Sequence, residues 1–81
     1  MRVEISKYIV ADTEICHGKP TFKGTRVLVS DILELLAAGR SIKNILGSYP
    51  SLTREMIQDA IRYAAKLVRG ERYVEFPKVP A

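Results

Sequence analysis

The sequence predicts a mainly α fold, a three-helix bundle over residues 30–69 behind a short N-terminal β element. Three observations predict it: apolar residues at helical spacing in three successive windows, a capping residue ahead of each, and a glycine or proline behind each.

The first window holds Ile32, Leu33 and Leu36 on one helical face. Ser30 is the expected N-cap, and Asp31 suits the positive end of the helix dipole. Gly39 supplies the left-handed residue that stops the helix. Ser41 then caps a second helix, in which Ile42, Ile45, Leu46 and Tyr49 follow the i, i+3, i+4, i+7 pattern. Pro50 ends it, because proline pushes the residue before it out of the helical region. Thr53 caps the third and longest helix, with Ile57, Ala60, Ile61, Ala64, Leu67 and Val68 on one stripe and Gly70 as the stop. Three amphipathic helices joined by short turns must share one core.

Residues 1–29 are rich in β-branched and turn residues and read as an N-terminal β arm or hairpin. Lys7-Tyr8-Ile9-Val10 is a short strand ended by the Asp12-Thr13 turn signal. Gly18 to Thr25 reads as a loop, or a hairpin with a kinked arm, leading to a second strand at Arg26-Val27-Leu28-Val29. Two strands alone make an unstable sheet, so they must pack on the helices or pair with a second subunit. Residues 70–81 form an extended tail containing Pro77 and Pro80. In it Tyr73, Val74 and Phe76 are large groups to leave exposed, and they are the expected partner-binding residues.

Eighty-one residues make one domain with a thin core. Domains this small commonly need a disulfide, a metal or oligomerisation. One cysteine, Cys16, excludes an internal disulfide, and His17 alone leaves too few ligands for a structural zinc. Oligomerisation remains, and a homodimer is expected. No stretch approaches the roughly 20 apolar residues of a membrane span. Met1–Ile5 lacks the apolar core of a signal peptide, and a lone thiol fits a reducing cytosol, so the expected location is cytoplasmic. The net charge of +4 permits nucleic-acid binding without proving it.

Two motifs invite enzymatic readings and fail them. Gly18-Lys19-Pro20-Thr21-Phe22-Lys23-Gly24-Thr25-Arg26 has five residues between its glycines, where a phosphate-binding P-loop needs four and then Lys-Ser/Thr. Its Lys19, Lys23 and Arg26 remain candidates for contacts to a nucleic-acid backbone. Cys16-His17 has no further Cys or His to complete a metal site, and no third group in view to orient a catalytic pair. No catalytic residue, metal, cofactor or small-molecule substrate is expected.

The third helix carries the candidate site. Arg54, Gln58 and Arg62 lie four apart on one ridge, extended by Lys66 and Arg69, with Glu55 and Asp59 forming an acidic ridge alongside. Leu35-Leu36-Ala37-Ala38-Gly39-Arg40-Ser41 resembles the opening of the helix-turn-helix units of resolvases, invertases and homeodomain-like repressors. In such a unit the third helix enters the major groove, where Arg and Gln suit guanine and adenine edges. Lys66 and Arg69 would meet phosphates. The plainer alternative makes the same ridge the solvated face of a surface helix, with Arg62 paired to Asp59 or Gln58.

The order Gly18-Lys19-Pro20, Lys23-Gly24-Thr25-Arg26-Val27, Leu35-Leu36-Ala37-Ala38-Gly39-Arg40-Ser41 and Tyr49-Pro50-Ser51-Leu52-Thr53 resembles the domain-of-unknown-function 433 family of small prokaryotic proteins. The resemblance covers about residues 8 to 68. It implies a homeodomain-like trihelical fold with a small β element. It also implies an antitoxin role in a type II toxin–antitoxin pair, against a small toxin protein of the PIN-like ribonuclease type. Position 17 departs from the pattern, with His where the family more often has Gly.

Two functions of different class are therefore expected. One is a dimeric antitoxin that also binds operator DNA through the third helix. The other is a protein-interaction scaffold without specific DNA binding. An RNA-binding regulator is a third, although aromatic platforms for single-stranded RNA are sparse.

Overall fold

The computed structural model describes residues 1–70. The tail residues Tyr73, Val74 and Phe76 lie outside them. Three strands, β1 (Arg2–Glu4), β2 (Ile9–Asp12) and β3 (Thr21–Phe22), precede three helices, α1 (Val29–Ala37), α2 (Ile42–Ser48) and α3 (Arg54–Val68). The strands form an antiparallel sheet in the order β1-β2-β3. The fold is the expected one of three helices and a small N-terminal sheet, and the sheet has one strand more than predicted.

Local chemistry sets the helix ends. Ser41 Oγ accepts the Asn44 N–H at 3.1 Å and opens α2. Thr53 Oγ1 accepts the Met56 N–H at 3.2 Å, while the Thr53 N–H donates to Met56 Sδ at 3.3 Å. This is a capping box in which methionine stands where Glu or Gln is usual. Gly39, at φ +92°, closes α1. Its N–H donates to Leu36 C=O and the Arg40 N–H to Leu35 C=O, the paired bonds of a Schellman motif.

The start of α1 differs from expectation. Leu28 is the N-cap residue and Ser30 lies inside the first turn, with no side chain capping the helix. The loop supplies the missing acceptor, since Val29 N–H donates to Pro20 C=O at 3.0 Å. Arg26–Val29 is accordingly not a strand: Leu28 makes one bridge to Thr21, and Val29 is already helical. The strand beside β2 is instead Thr21–Phe22, inside the predicted loop, and β1 was not predicted at all.

Register places the core. Ile9 stands opposite Phe22, so both project from one face of the sheet. They are buried with Val29 and Ile32 of α1, Ile45 of α2, Leu52, and Met56, Ile57 and Ala60 of α3. The apolar stripe of α3 is buried only in its first half. Ile61, midway along the helix, sits at the edge of the buried face and is half exposed, and Leu67 and Val68 are exposed in the last turn, past Tyr63, which still packs against the core.

Between β2 and β3 the chain turns through a short 3-10 segment, Cys16–Gly18. Cys16 and His17 both take left-handed backbone angles, φ +50° and +59°, ahead of Gly18 at +83°. Only glycine adopts that region without steric cost. The His17 side chain is exposed, so its removal loses no core contact. His17→Gly is therefore expected to stabilise the fold by about 0.5–1 kcal/mol, read as a raised midpoint in thermal melts. A lowered midpoint would show that the histidine side chain contributes more than its backbone angle takes away.

Candidate nucleic-acid interface

The candidate interface is built on α3, which Thr53 starts and Gly70 ends. Gly70 takes φ +81°, and its N–H donates to Leu67 C=O at 3.1 Å. Burying Met56, Ile57 and Ala60 fixes the rotation of the helix about its axis. The opposite surface then presents Arg54, Gln58, Arg62 and Lys66, all exposed. Residues four apart rise about 6 Å along the axis and turn about 40° around it, so these side chains form a gently slanted row. Arg69, also exposed, is the C-cap residue of α3 and not part of its regular turns.

Asp59 is the correction. Sequence spacing placed it with Glu55 on a solvated acidic ridge, yet it is only 9% exposed. Its Oδ2 accepts the Ser6 hydroxyl and, at 3.2 Å, the Tyr8 N–H. The carboxylate thus ties the chain ahead of β2 to the third helix. Its Oδ1 lies 3.7 Å from Arg62 Nη1, a loose i, i+3 pair whose arginine side chain is 63% exposed. With Asp59 turned inward, Glu55 is the one exposed carboxylate on α3, facing four cationic side chains from Arg54 to Arg69. The outer surface is more basic than the linear sequence implied.

Of Lys19, Lys23 and Arg26, Lys23 is drawn into an ion pair. Lys23 Nζ contacts Glu4 Oε1 at 2.8 Å, and Arg2 Nε contacts Glu4 Oε2 at 3.1 Å. The hydrogen bond from Lys23, reinforced by Arg2, holds the Glu4 carboxyl below its ordinary range. Lys19 and Arg26 are exposed in the loop regions flanking β3. Among the described residues, no group of three His, Cys, Asp or Glu is placed to hold a metal. No described helix is long and apolar enough to cross a membrane.

One candidate was missed by sequence reasoning. Lys43 is exposed on α2, at a shallow depression lined by Ser41, Asn44, Gly47 and Ser48. Beside it, Arg40 bonds Asn44 Oδ1 and, at 2.9 Å, Ser48 Oγ. In helix-turn-helix units the helix before the recognition helix crosses the nucleic-acid backbone, which is where a lysine on α2 would serve. Its signal was present, as the cation one residue after Ile42 on the polar side of a short helix.

The fold and its outer surface define a small three-helix protein with an antiparallel sheet and a basic third helix. Residues 9–64 match the family model described as "Protein of unknown function (DUF433)". The chain belongs to that family. It is 40% identical over 67 residues to "Uncharacterized protein y4eO" of Sinorhizobium fredii (strain NBRC 101917 / NGR234), a match covering 82% of this chain and 30% of that relative. The chain therefore spans about a third of the curated relative's length. No solved structure matches it at a significant level.

Proposed function

We propose that this chain is a DNA-binding antitoxin of a type II toxin–antitoxin pair, acting in the cytoplasm as a homodimer and without catalytic activity of its own. The observation that carries the DNA half is the exposed row Arg54, Gln58, Arg62 and Lys66 on a helix whose opposite side is locked into the core. Arg54 and Gln58 lie in the first turns of α3, where recognition helices reach base edges. Lys66 and Arg69, farther along, suit phosphates. Two such helices in a dimer would address half-sites about one DNA turn, roughly 34 Å, apart. Support for the neutralising half is the family resemblance, which implies a PIN-like ribonuclease toxin as partner. Its assigned contact residues Tyr73, Val74 and Phe76 lie outside the described residues.

Replacing Arg54, Gln58 and Arg62 together by alanine is the test of the DNA half. All three are exposed, so the fold should change by no more than about 0.5 kcal/mol each. Each lost base contact is worth about 1–3 kcal/mol, so specific affinity should fall by roughly 100-fold or more. The measurement is a gel-shift titration at physiological salt on DNA from upstream of the chain's own gene, against random DNA. Unchanged preference for the upstream DNA would remove α3 from the interface.

A second reading, the protein-interaction scaffold, is favoured by the exposed Leu67 and Val68 at the far end of α3 and by Ile61 midway along it. It expects DNA affinity no better than any basic surface gives, about 10⁻⁴–10⁻⁶ M at physiological salt. Recovery of a stoichiometric small ribonuclease with the chain from its host would support neutralisation under either reading.

A further inference from the structure

Among the described residues, the small sheet has one open side. At its β3 end, the Thr21–Leu28 bridge and the Phe22 N–H, bonded to Val27 C=O at 3.2 Å, occupy the outer edge. β1 lies at the other end. Backbone direction alternates along a strand, and here two bonds set the phase. Met1 C=O accepts the Thr13 N–H at 2.9 Å, and the Ile5 N–H donates to Ile9 C=O at 3.0 Å. The odd residues 1, 3 and 5 therefore face β2. Arg2 and Glu4 turn both N–H and C=O outward, to the open side.

We propose that this edge is a self-association surface, on which β1 pairs antiparallel with β1 of a second copy about a two-fold axis at Val3. Only outward-facing residues can exchange backbone bonds across such an edge. A symmetric pairing must therefore set Arg2 against Arg2, Glu4 against Glu4, or Arg2 against Glu4. The first two oppose like charges and are unfavourable. The third sets Arg2 opposite Glu4 of the second copy, twice, with four backbone hydrogen bonds and two ion pairs. Backbone phase and side-chain charge thus select the same register.

The groups are already poised for it. Lys23 and Arg2 hold Glu4 as a carboxylate on the same face as the incoming arginine. Val3, 49% exposed, meets its own copy at the axis, in the closely spaced pair that hydrogen bonds do not bridge. A charged edge strand ordinarily repels strangers. This one is complementary to itself. The result is one six-stranded sheet with its axis perpendicular to the strands' plane, so both sets of helices lie on the same side. That arrangement supplies the dimer of the proposed function, but assembly and DNA binding are read by separate measurements, and either can fail alone.

The test is a charge-swap complementation on the full chain by sedimentation equilibrium. The wild type is expected at twice 9.1 kDa. Arg2→Glu gives an all-acidic edge and Glu4→Arg an all-basic one. Each alone should associate at least about tenfold more weakly, because both cross-strand pairs become repulsive. Mixed together they should recover the wild-type mass as a heterodimer. In case a swap disturbs folding, Val3→Cys in a Cys16→Ser background gives an independent readout. Residues facing each other at the axis lie within disulfide reach, so oxidation should yield a covalent dimer, which Arg2→Cys in that background should not. A wild type of 9.1 kDa at every concentration would overturn the proposal. So would swapped variants that remain as dimeric as the wild type, or a dimer that Val3→Cys fails to cross-link.

Discussion

Phe22→Ala is expected to remove a large part, about half, of the stability of this protein. Phe22 is fully buried, although it sits on a strand of only two residues. From there it joins Ile9 of β2 to Val29 and Ile32 of α1 and to the buried residues of α3. Deleting a buried phenylalanine side chain costs about 3–5 kcal/mol, through lost transfer energy and the cavity left behind. A domain of this length has a total stability of roughly 4–12 kcal/mol, at 0.05–0.15 kcal/mol per residue. The variant should therefore melt about 12–40 °C lower, at 4–8 °C per kcal/mol. Phe22→Leu keeps most of the volume and should cost much less. Chemical denaturation followed by circular dichroism measures both. A loss under about 1 kcal/mol for Phe22→Ala would mean that sheet and helices do not share one core.

Asp59→Ala carries the second large effect, by a different mechanism. Asp59 accepts from the Ser6 hydroxyl and the Tyr8 N–H, which join helix and strand arm across more than fifty residues of sequence. Hydrogen bonds to a charged group are worth about 1.5–3 kcal/mol each when buried, but Ser6 and Tyr8 are only half-buried, so water replaces part of what the carboxylate supplied. A loss of about 2–4 kcal/mol is expected. Asp59→Asn keeps an acceptor of the same shape and should lose less. Amide hydrogen exchange adds a local readout, since the Tyr8 N–H should exchange faster once its acceptor is gone. By contrast, Arg62→Ala should change stability by no more than about 0.5 kcal/mol, because its pair with Asp59 is long and mostly exposed. If Arg62→Ala cost as much as Asp59→Ala, the ion pair rather than the tie to Ser6 and Tyr8 would be the stabilising contact.

What could be seen in advance follows from how far apart the interacting groups lie. Ser41 and Thr53 bond amides three residues away, and Gly39 permits bonds confined to one turn. Such devices are complete within a short window, so the ends of α2 and α3 were readable. The start of α1 was not, because its first amide is satisfied by Pro20, nine residues back on a loop. Val27 and Val29 are β-branched and Leu28 between them is apolar, which mimics a strand; the helix beginning at Val29 overrides that preference. The basic row on α3 was legible because helical spacing alone groups Arg54, Gln58 and Arg62. The fate of its neighbour Asp59 was not, since spacing cannot say which polar residue at the border of a helix finds a donor on another element.

The sequence by itself determined where the helices stop, which residues of α3 share the outer row, and the family to which the chain belongs. Periodicity, caps and motif order are local, and they survive without knowledge of contacts. Only the tertiary structure decided that Asp59 turns inward, that Thr21–Phe22 and not Arg26–Val29 completes the sheet, and that Arg2 and Glu4 line its open edge. Each of those depends on a partner elsewhere in the chain: Ser6 and Tyr8 for Asp59, Ile9 and Val10 for β3, and Thr13 and Ile9 for the phase of β1. A hydrogen bond between distant residues is set by packing of the whole core, and no window of sequence contains both of its ends.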